Sequence, residues 1–129
     1  TRPLVAAIGL GLAEAALDFT REQLEAIGVE LEYGAGLTTL SAAAEKFMRL
    51  EALYEASLLT TLQCMWLAGQ GRPNNMESSV SKAHAGTAVR LITQGCIEIL
   101  GGMGISRDQR FTAVYPEWQS SMPASESCA

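Results

Sequence analysis

The sequence predicts an all-α fold, an antiparallel, up-and-down bundle of the four-helix type with long helices. The 129 residues are rich in Ala and Leu, with few aromatics and only four prolines, which favours helices over a sandwich or barrel. Three long stretches repeat apolar residues at helical spacing, and no stretch sustains a period of two. Because short Gly-containing connections separate these stretches, consecutive helices are expected to lie antiparallel.

The first predicted helix runs from Thr1, as N-cap, to about Ile27. Pro3 lies in its first turn, where a missing N–H costs nothing. Its expected apolar face repeats at helical spacing: Leu4, Ile8, Leu12, Ala15, Phe19 and Ala26. The first half is apolar nearly all round, so we expect it to be central in the fold. Residues 28–37 have several glycines and no period, which indicates a loop.

The second predicted helix ends at the breakers Gly69, Gly71 and Pro73. Its expected inward positions are Leu40, Ala44, Phe47, Glu51, Tyr54, Leu58, Thr61 and Met65, widened by Leu50, Leu53, Leu62 and Trp66. Glu51 is the one charge in this stripe. We expect it to find a cationic partner rather than to act in catalysis, since a buried carboxylate without a partner is costly.

The third predicted helix starts at a capping-box-like Asn74 with Glu77. Its expected stripe is Val80, Ala83, Thr87, Leu91, Gly95 and Ile99. It ends in what we call the glycine turn, residues 101–104, where Gly101, Gly102 and Gly104 accept φ > 0 and leave backbone N–H groups uncovered. By itself this motif is more typical of a plain C-cap than of a binding surface. We expect the bundle to span 1–108 and a short helix or irregular tail to follow over 109–129.

Charge and cysteine content exclude several classes of function. The net charge of −5 and the lack of a basic run argue against nucleic acid. Cys64, Cys96 and Cys128 lack metal-ligand spacing, so no metal site is predicted and the thiols are expected to be buried or incidental. The apolar start is shorter than the ~20 residues that span a bilayer. We therefore expect no membrane association and, by default, the cytoplasm. A start at Thr1, inside a helical pattern, suggests a piece of a longer chain.

The residues alone declare no catalytic site. His84 is the single histidine, in an ordinary mid-helix context, and we expect it to be packed or on the surface. Ser81 precedes it by three residues, which excludes the Glu-x-x-His pairs of di-iron bundles. Paired carboxylates occur only on the solvated face of the first helix.

Three stretches taken together resemble the C-terminal helical domain of the FAD-dependent acyl-CoA dehydrogenases. They are the start Thr-Arg-Pro-Leu-Val-Ala-Ala, the stretch Trp-Leu-Ala-Gly-Gln-Gly-Arg-Pro-Asn with Ser-Lys-Ala downstream, and Ile-Leu-Gly-Gly-Met-Gly with Ser-Arg-Asp. The resemblance covers residues 1 to about 108. It implies a bundle that follows an N-terminal helical domain and a middle β-domain, an acyl-CoA substrate, and a homo- or hetero-oligomer.

The resemblance also implies site residues. In the family the flavin lies between the middle domain and this bundle, and a neighbouring subunit's bundle covers its diphosphate. Gly101, Gly102 and Gly104 become candidates for close backbone approach to that diphosphate. Arg2 sits where the family keeps an active-site arginine.

Several positions depart from the family pattern. Glu98 replaces a Gln, and its carboxylate is expected to repel the diphosphate, so Glu98→Gln should strengthen flavin binding. The resemblance makes Tyr33 a candidate contact of the flavin, because it keeps the aromatic of the Arg-Lys-x-Phe-Gly loop that in the family clamps the neighbouring subunit's flavin. Residues 28–32 supply no cation, however. An arginine common in the second helix is replaced near Leu58. The tail lacks the Tyr-Glu-Gly segment of the catalytic base, and Glu117 is the only acidic residue in range.

Two hypotheses follow. In the first, the chain is a domain of an acyl-CoA dehydrogenase, in which a carboxylate removes the proton α to the thioester while hydride leaves Cβ for the flavin. In the second, it is a non-catalytic bundle, a subunit or interaction module of a hetero-oligomeric dehydrogenase that has lost its flavin contacts. On either hypothesis we expect the isolated chain to be inactive, free of FAD and self-associating.

Overall fold

Three long helices make up the fold in the computed structural model, which describes residues 2–34, 36 and 40–101. They are α1 (Arg2–Ala26), α2 (Ala42–Gly69) and α3 (Asn75–Leu100), and the described residues contain no strand. This confirms the predicted all-α bundle. Thr1, Gly102, Gly104, Glu117, Cys128 and the predicted tail at 109–129 lie outside the described residues.

Contacts between the helices show their directions. Arg2 Nη1 donates to Ser79 Oγ at 3.0 Å, which joins the beginnings of α1 and α3. Arg21, late in α1, instead meets Glu51, early in α2. Consequently α1 and α3 run parallel, and α2 runs antiparallel to both; between α2 and α3 the short connection 70–74 requires this.

The core lies where the three helices meet. Phe47, Val89 and Ile92 are fully buried together with Leu24 of α1 and small residues of all three helices. Gly95 allows the closest approach, because a Cβ built on it would lie 2.7 Å from Leu50 Cδ1. A separate small cluster of Ala6, Leu10 and Ala85 closes the end of the bundle where α1 begins.

The predicted inward face of α1 is wrong. Leu4 and Ile8 are 58% and 70% exposed, while the buried residues are Ala6, Gly9, Leu10, Ala13, Ala16, Leu17, Thr20 and Leu24. Both stripes have helical period, but the small-residue stripe lets the backbones approach and form a dense core. The first half of α1 still packs inward through Ala6, Leu10 and Ala13, while Leu4 and Ile8 lie on its outer side.

On α2 and α3, too, some large apolar residues of the predicted inward stripe are exposed. On α3, Val80 and Leu91 are exposed, and the residues that pack inward are Ser81, Ala85, Gly86, Ala88, Val89, Ile92, Thr93, Gly95 and Cys96. On α2, Phe47, Leu50 and Thr61 are buried as predicted, but Leu62, Met65 and Trp66 are exposed. The apolar residues of α2 thus extend onto the surface of the described chain.

The helix ends show one further difference from prediction. Ser41 caps α2, its Oγ accepting from the Ala44 N–H at 3.2 Å. Asn74 makes no side-chain cap on α3, which contradicts the predicted capping box. Its Nδ2 instead donates to the Cys64 carbonyl at 3.1 Å. Asn74 therefore ties the start of α3 to α2 rather than satisfying the first amides of its own helix.

By length and composition α1 is apolar enough to cross a membrane. Its Leu10, Leu17 and Leu24 are buried against α2 and α3, and core packing in the bundle accounts for the same composition.

Candidate functional site

The described site residues lie at opposite ends of the bundle. Arg2 opens α1 beside Ser79, whereas Tyr33, Glu98 and Gly101 lie toward the other end, where α2 begins. The 19 residues from Arg2 to Arg21 correspond to roughly 28 Å of helix at ~1.5 Å per residue. The structure therefore separates the arginine from the residues assigned to the flavin diphosphate, and the two sets would meet different parts of a ligand or different ligands.

Gly101 ends α3 with a positive φ of 60°, and its N–H donates to the Ile97 carbonyl at 2.9 Å. It is thus a C-cap, which agrees with the plain interpretation of the motif. The residue is also exposed. Among the residues that the structure describes, no atom beyond its chain neighbours and its own helix backbone lies within 4 Å of a Cβ built on it, so they leave this point of the glycine turn uncovered.

Glu98, one turn before Gly101, is paired with a cation that sequence reasoning missed. Lys46 Nζ contacts Glu98 Oε2, and Gln94 Nε2 donates to Glu98 Oε1 at 3.3 Å. The hydrogen bond from Lys46 holds the pKa of Glu98 below its ordinary value. Lys46 precedes Glu98 by 52 residues and reaches it only because α2 and α3 are antiparallel. The surface beside Gly101 carries a neutral ion pair rather than a lone carboxylate.

The connecting segment, residues 28–34, is fixed at both ends. Gly28 takes φ 83°, and the Val29 N–H donates to the Leu24 carbonyl at 2.9 Å. Val29 and Leu31 pack against the core, while Glu30 and Glu32 are exposed. The segment therefore presents carboxylates outward and, as predicted, no cation of its own.

Glu51 joins α1, α2 and the connecting segment. Arg21 Nη2 contacts Glu51 Oε1, and the Tyr33 hydroxyl donates to Glu51 Oε2 at 2.6 Å. This confirms the cationic partner predicted for Glu51. Sequence reasoning missed the tyrosine, and no periodic signal connects residues 33 and 51.

The same cluster shifts two pKa values. The hydrogen bond to Glu51 raises the pKa of Arg21, against a smaller opposing effect of burial. Burial is the largest cause that raises the pKa of Tyr33, and the hydrogen bond and negative charge of Glu51 raise it further. Arg21 and Tyr33 therefore stay protonated, and both donate to the Glu51 carboxylate.

A groove between α1 and α2 adjoins this cluster, with a volume of about 520 Å³. Its charged and aromatic lining residues are Glu14, Asp18, Arg21, Tyr33, Glu51, Tyr54 and Glu55. Four carboxylates against one guanidinium do not suit an anionic diphosphate. The groove is therefore no candidate for the flavin's phosphates.

Polar side chains form a ladder between α2 and α3. Ser57 Oγ lies 2.8 Å from His84 Nδ1, Thr61 Oγ1 lies 2.9 Å from Ser81 Oγ, and Cys64 Sγ lies 3.2 Å from Ser78 Oγ. His84 is exposed, within the prediction of a packed or surface histidine, and in the described residues no acidic side chain bonds to it. Ser57 is buried, so this pair is not an exposed nucleophile with its base.

The cysteines agree with their predicted structural role. Cys64 and Cys96 are buried free thiols, and burial raises the pKa of Cys96 to about 11. A thiol of that kind is a poor nucleophile at neutral pH. Over residues 2–34, 36 and 40–101, no His, Cys, Asp or Glu side chains group as metal ligands.

Comparison with known proteins gives a consistent result. The family model "Acyl-CoA dehydrogenase, C-terminal domain" matches residues 1–123. The mitochondrial short-chain specific acyl-CoA dehydrogenase of Bos taurus is 32% identical over 120 residues, which cover 86% of this chain and 28% of that protein. The mitochondrial short/branched chain specific enzyme of Rattus norvegicus is 30% identical over 104 residues, covering 81% of this chain and 23% of that protein.

Two facts follow from these relatives. The chain spans about a quarter of the length of the curated relatives it matches. The expected cytoplasmic location is wrong, because those relatives, and the human short-chain enzyme at 30% identity, are mitochondrial proteins. The prediction of a cytoplasmic location depended only on the lack of a recognised targeting signal. With the match over residues 1–123, this helical chain belongs to the acyl-CoA dehydrogenase family, as its C-terminal domain.

Proposed function

We propose that this chain is the C-terminal domain of a FAD-dependent acyl-CoA dehydrogenase that forms a double bond between Cα and Cβ of an acyl-CoA thioester. The observation that carries the proposal is the family match over residues 1–123. The short-chain and short/branched chain relatives favour a short acyl group as substrate. A base removes the Cα proton and hydride leaves Cβ; FAD, when bound, supplies the hydride acceptor.

The described residues have roles that suit such an enzyme. Arg2, at the opposite end of α1 from Tyr33, belongs to the substrate side. Gly101 is exposed, and Lys46 neutralises Glu98 beside it, which removes a charge that would repel the anionic diphosphate of a neighbouring subunit's flavin. Gly102, Gly104 and the candidate base Glu117 keep their proposed roles on the resemblance alone.

The alternative is a non-catalytic bundle in a homo- or hetero-oligomeric dehydrogenase. The outward Glu30 and Glu32, in a segment without a cation, favour it. So do Leu59, Leu62 and Trp66, which are exposed on α2 and suit a subunit or domain contact. On this alternative the bundle contributes shape and contacts, and the flavin of the assembly lies elsewhere.

The colour and activity of the protein at its full length separate the two functions. On the first, the purified protein is yellow with a flavin spectrum and oxidises a short acyl-CoA in the presence of an electron-accepting dye. The isolated 129-residue chain should be colourless and inactive, because a partial cover cannot offset the entropy lost in ordering FAD. A full-length protein that stays colourless after incubation with FAD supports the alternative, and a yellow isolated chain contradicts the expectation that the bundle alone holds no flavin.

A further inference from the structure

The hydroxyl of Tyr33 is fixed although most of its ring is exposed. The residue is 65% exposed, and its hydroxyl donates to Glu51 Oε2 at 2.6 Å. The rest of the connecting segment is held by the backbone at Val29 and by apolar packing at Leu31. The hydrogen bond to Glu51 therefore sets the direction in which the exposed aromatic ring points.

Glu51 itself has little freedom. Its other oxygen is held by Arg21, and its side chain is only 17% exposed. Arg21 is in turn oriented by Asp18 at 3.3 Å and by the Phe47 ring, whose centroid lies 5.6 Å away. The carboxylate is thus prevented from rotating away from the tyrosine, since both oxygens have charged or hydrogen-bonded partners.

We propose that Glu51 is a positioning residue of the flavin-covering surface, which acts by holding the Tyr33 ring in the orientation that the ligand meets. The inference rests on the proposed function. The family's loop motif has Phe at this position, which offers no hydroxyl to hold. In this chain the tyrosine and Glu51 form a hydrogen bond that orients the ring before the ligand arrives, which lowers the ordering cost of binding.

The test measures FAD affinity of the full-length protein by quenching of flavin fluorescence. Tyr33→Phe, which keeps the ring and removes the hydroxyl, and Glu51→Gln, which leaves a single acceptor oxygen, should each weaken FAD binding about three- to tenfold. The double variant should bind FAD no more weakly than whichever single variant has the lower affinity, because both changes remove the same hydrogen bond. Glu55→Gln, one turn further along α2 and exposed in the same groove, is the control and should bind FAD like the wild type.

A second readout does not depend on flavin. In a tyrosinate absorbance titration, Tyr33→Phe should remove a transition that occurs above the ordinary tyrosine range, and Glu51→Gln should lower the pKa of that transition. Unchanged FAD affinity in Tyr33→Phe, or losses that add in the double variant, would overturn the inference. A wild-type protein that binds no FAD would instead overturn the proposed function, while the titration would still show whether Glu51 holds Tyr33.

Discussion

Glu98 and Lys46 show that the effect of a charged residue on a nearby ligand depends on a partner distant in sequence. Alone, a carboxylate near the glycine turn would repel a diphosphate. Lys46 cancels the charge of Glu98 locally. Both side chains are about half exposed, with relative accessibilities of 42% for Lys46 and 50% for Glu98, so the pair itself contributes little to folding stability. The effect of the pair on the binding affinity of an anion is therefore more informative than its effect on folding stability.

Opposite changes in FAD affinity are expected from the two halves of this pair. Glu98→Gln leaves Lys46 positive and unpaired and should strengthen binding in the full-length protein several-fold. Lys46→Met leaves the carboxylate alone and should weaken binding. Because the groups are exposed, both effects should shrink as salt is raised from low ionic strength. FAD titrations at two salt concentrations measure this, and equal affinity in all three proteins would mean that Gly101 does not meet the diphosphate.

Single residues differed in how well sequence predicted them. Glu51 needed a cation because it interrupts an apolar stripe, and that requirement is local enough to read from helical spacing. The partners Tyr33 and Lys46 arise from tertiary pairing across a loop and across two helices, and no repeating pattern marks such pairs. The sequence therefore predicted that a carboxylate needs a partner, but it did not identify the residue that supplies it.

At the scale of elements, the C-terminal ends of α2 and α3 were predicted well, whereas the cap at Asn74 and the helix faces were predicted poorly. Gly71 and Gly101, both with positive φ, end α2 and α3 by local backbone chemistry, which can be recognised directly in the sequence. The faces of α1 and α3 depend on which of two apolar stripes packs more closely. The inner stripes of α1 and α3 contain many Ala and Gly residues, and a hydrophobicity pattern gives greater weight to Leu4, Ile8 and Leu91, which lie outside.

A substitution at Gly95 tests whether close packing determines which face of α3 is buried. Gly95→Ala would place a methyl group against Leu50 and should destabilise the fold by roughly 1 to 2 kcal/mol, after the gain in helix propensity. Gly11→Ala is the matched control, since Gly11 lies in α1 with nothing within 4 Å of an added Cβ. There only propensity acts, and stability should rise by about 0.5 to 1 kcal/mol. Denaturant unfolding of the chain measures both, and destabilisation of equal size at the two sites would argue against the packing explanation.

At the scale of the whole molecule, exposed apolar side chains mark surfaces that the described residues do not cover. Leu59, Leu62 and Trp66 follow one another at helical spacing on α2, and Leu4 and Ile8 lie outward on α1. In a chain spanning about a quarter of its relatives' length, such faces suit contacts with other domains or subunits.

The isolated chain should therefore self-associate. Leu62→Glu should shift it toward monomer, because a charge in an apolar contact is costly to desolvate. Gln63→Glu adds the same charge at the adjacent exposed position and should leave association unchanged. Sedimentation velocity over a range of concentrations distinguishes these results. A wild-type chain that stays monomeric at high concentration would contradict the expectation.

The polar ladder between α2 and α3 has a mechanical consequence. Sliding α2 along α3 by one turn, in the direction that brings Ser57 level with Ala88, would leave the buried Ser57 hydroxyl without its partner His84. Thr61 would lose Ser81 but keep its hydrogen bond to the Ser57 carbonyl. A buried hydroxyl left unpaired costs about 1 to 3 kcal/mol, whereas purely apolar faces would tolerate shear more cheaply. The ladder therefore opposes sliding in that direction and helps to fix the register of α2 against α3.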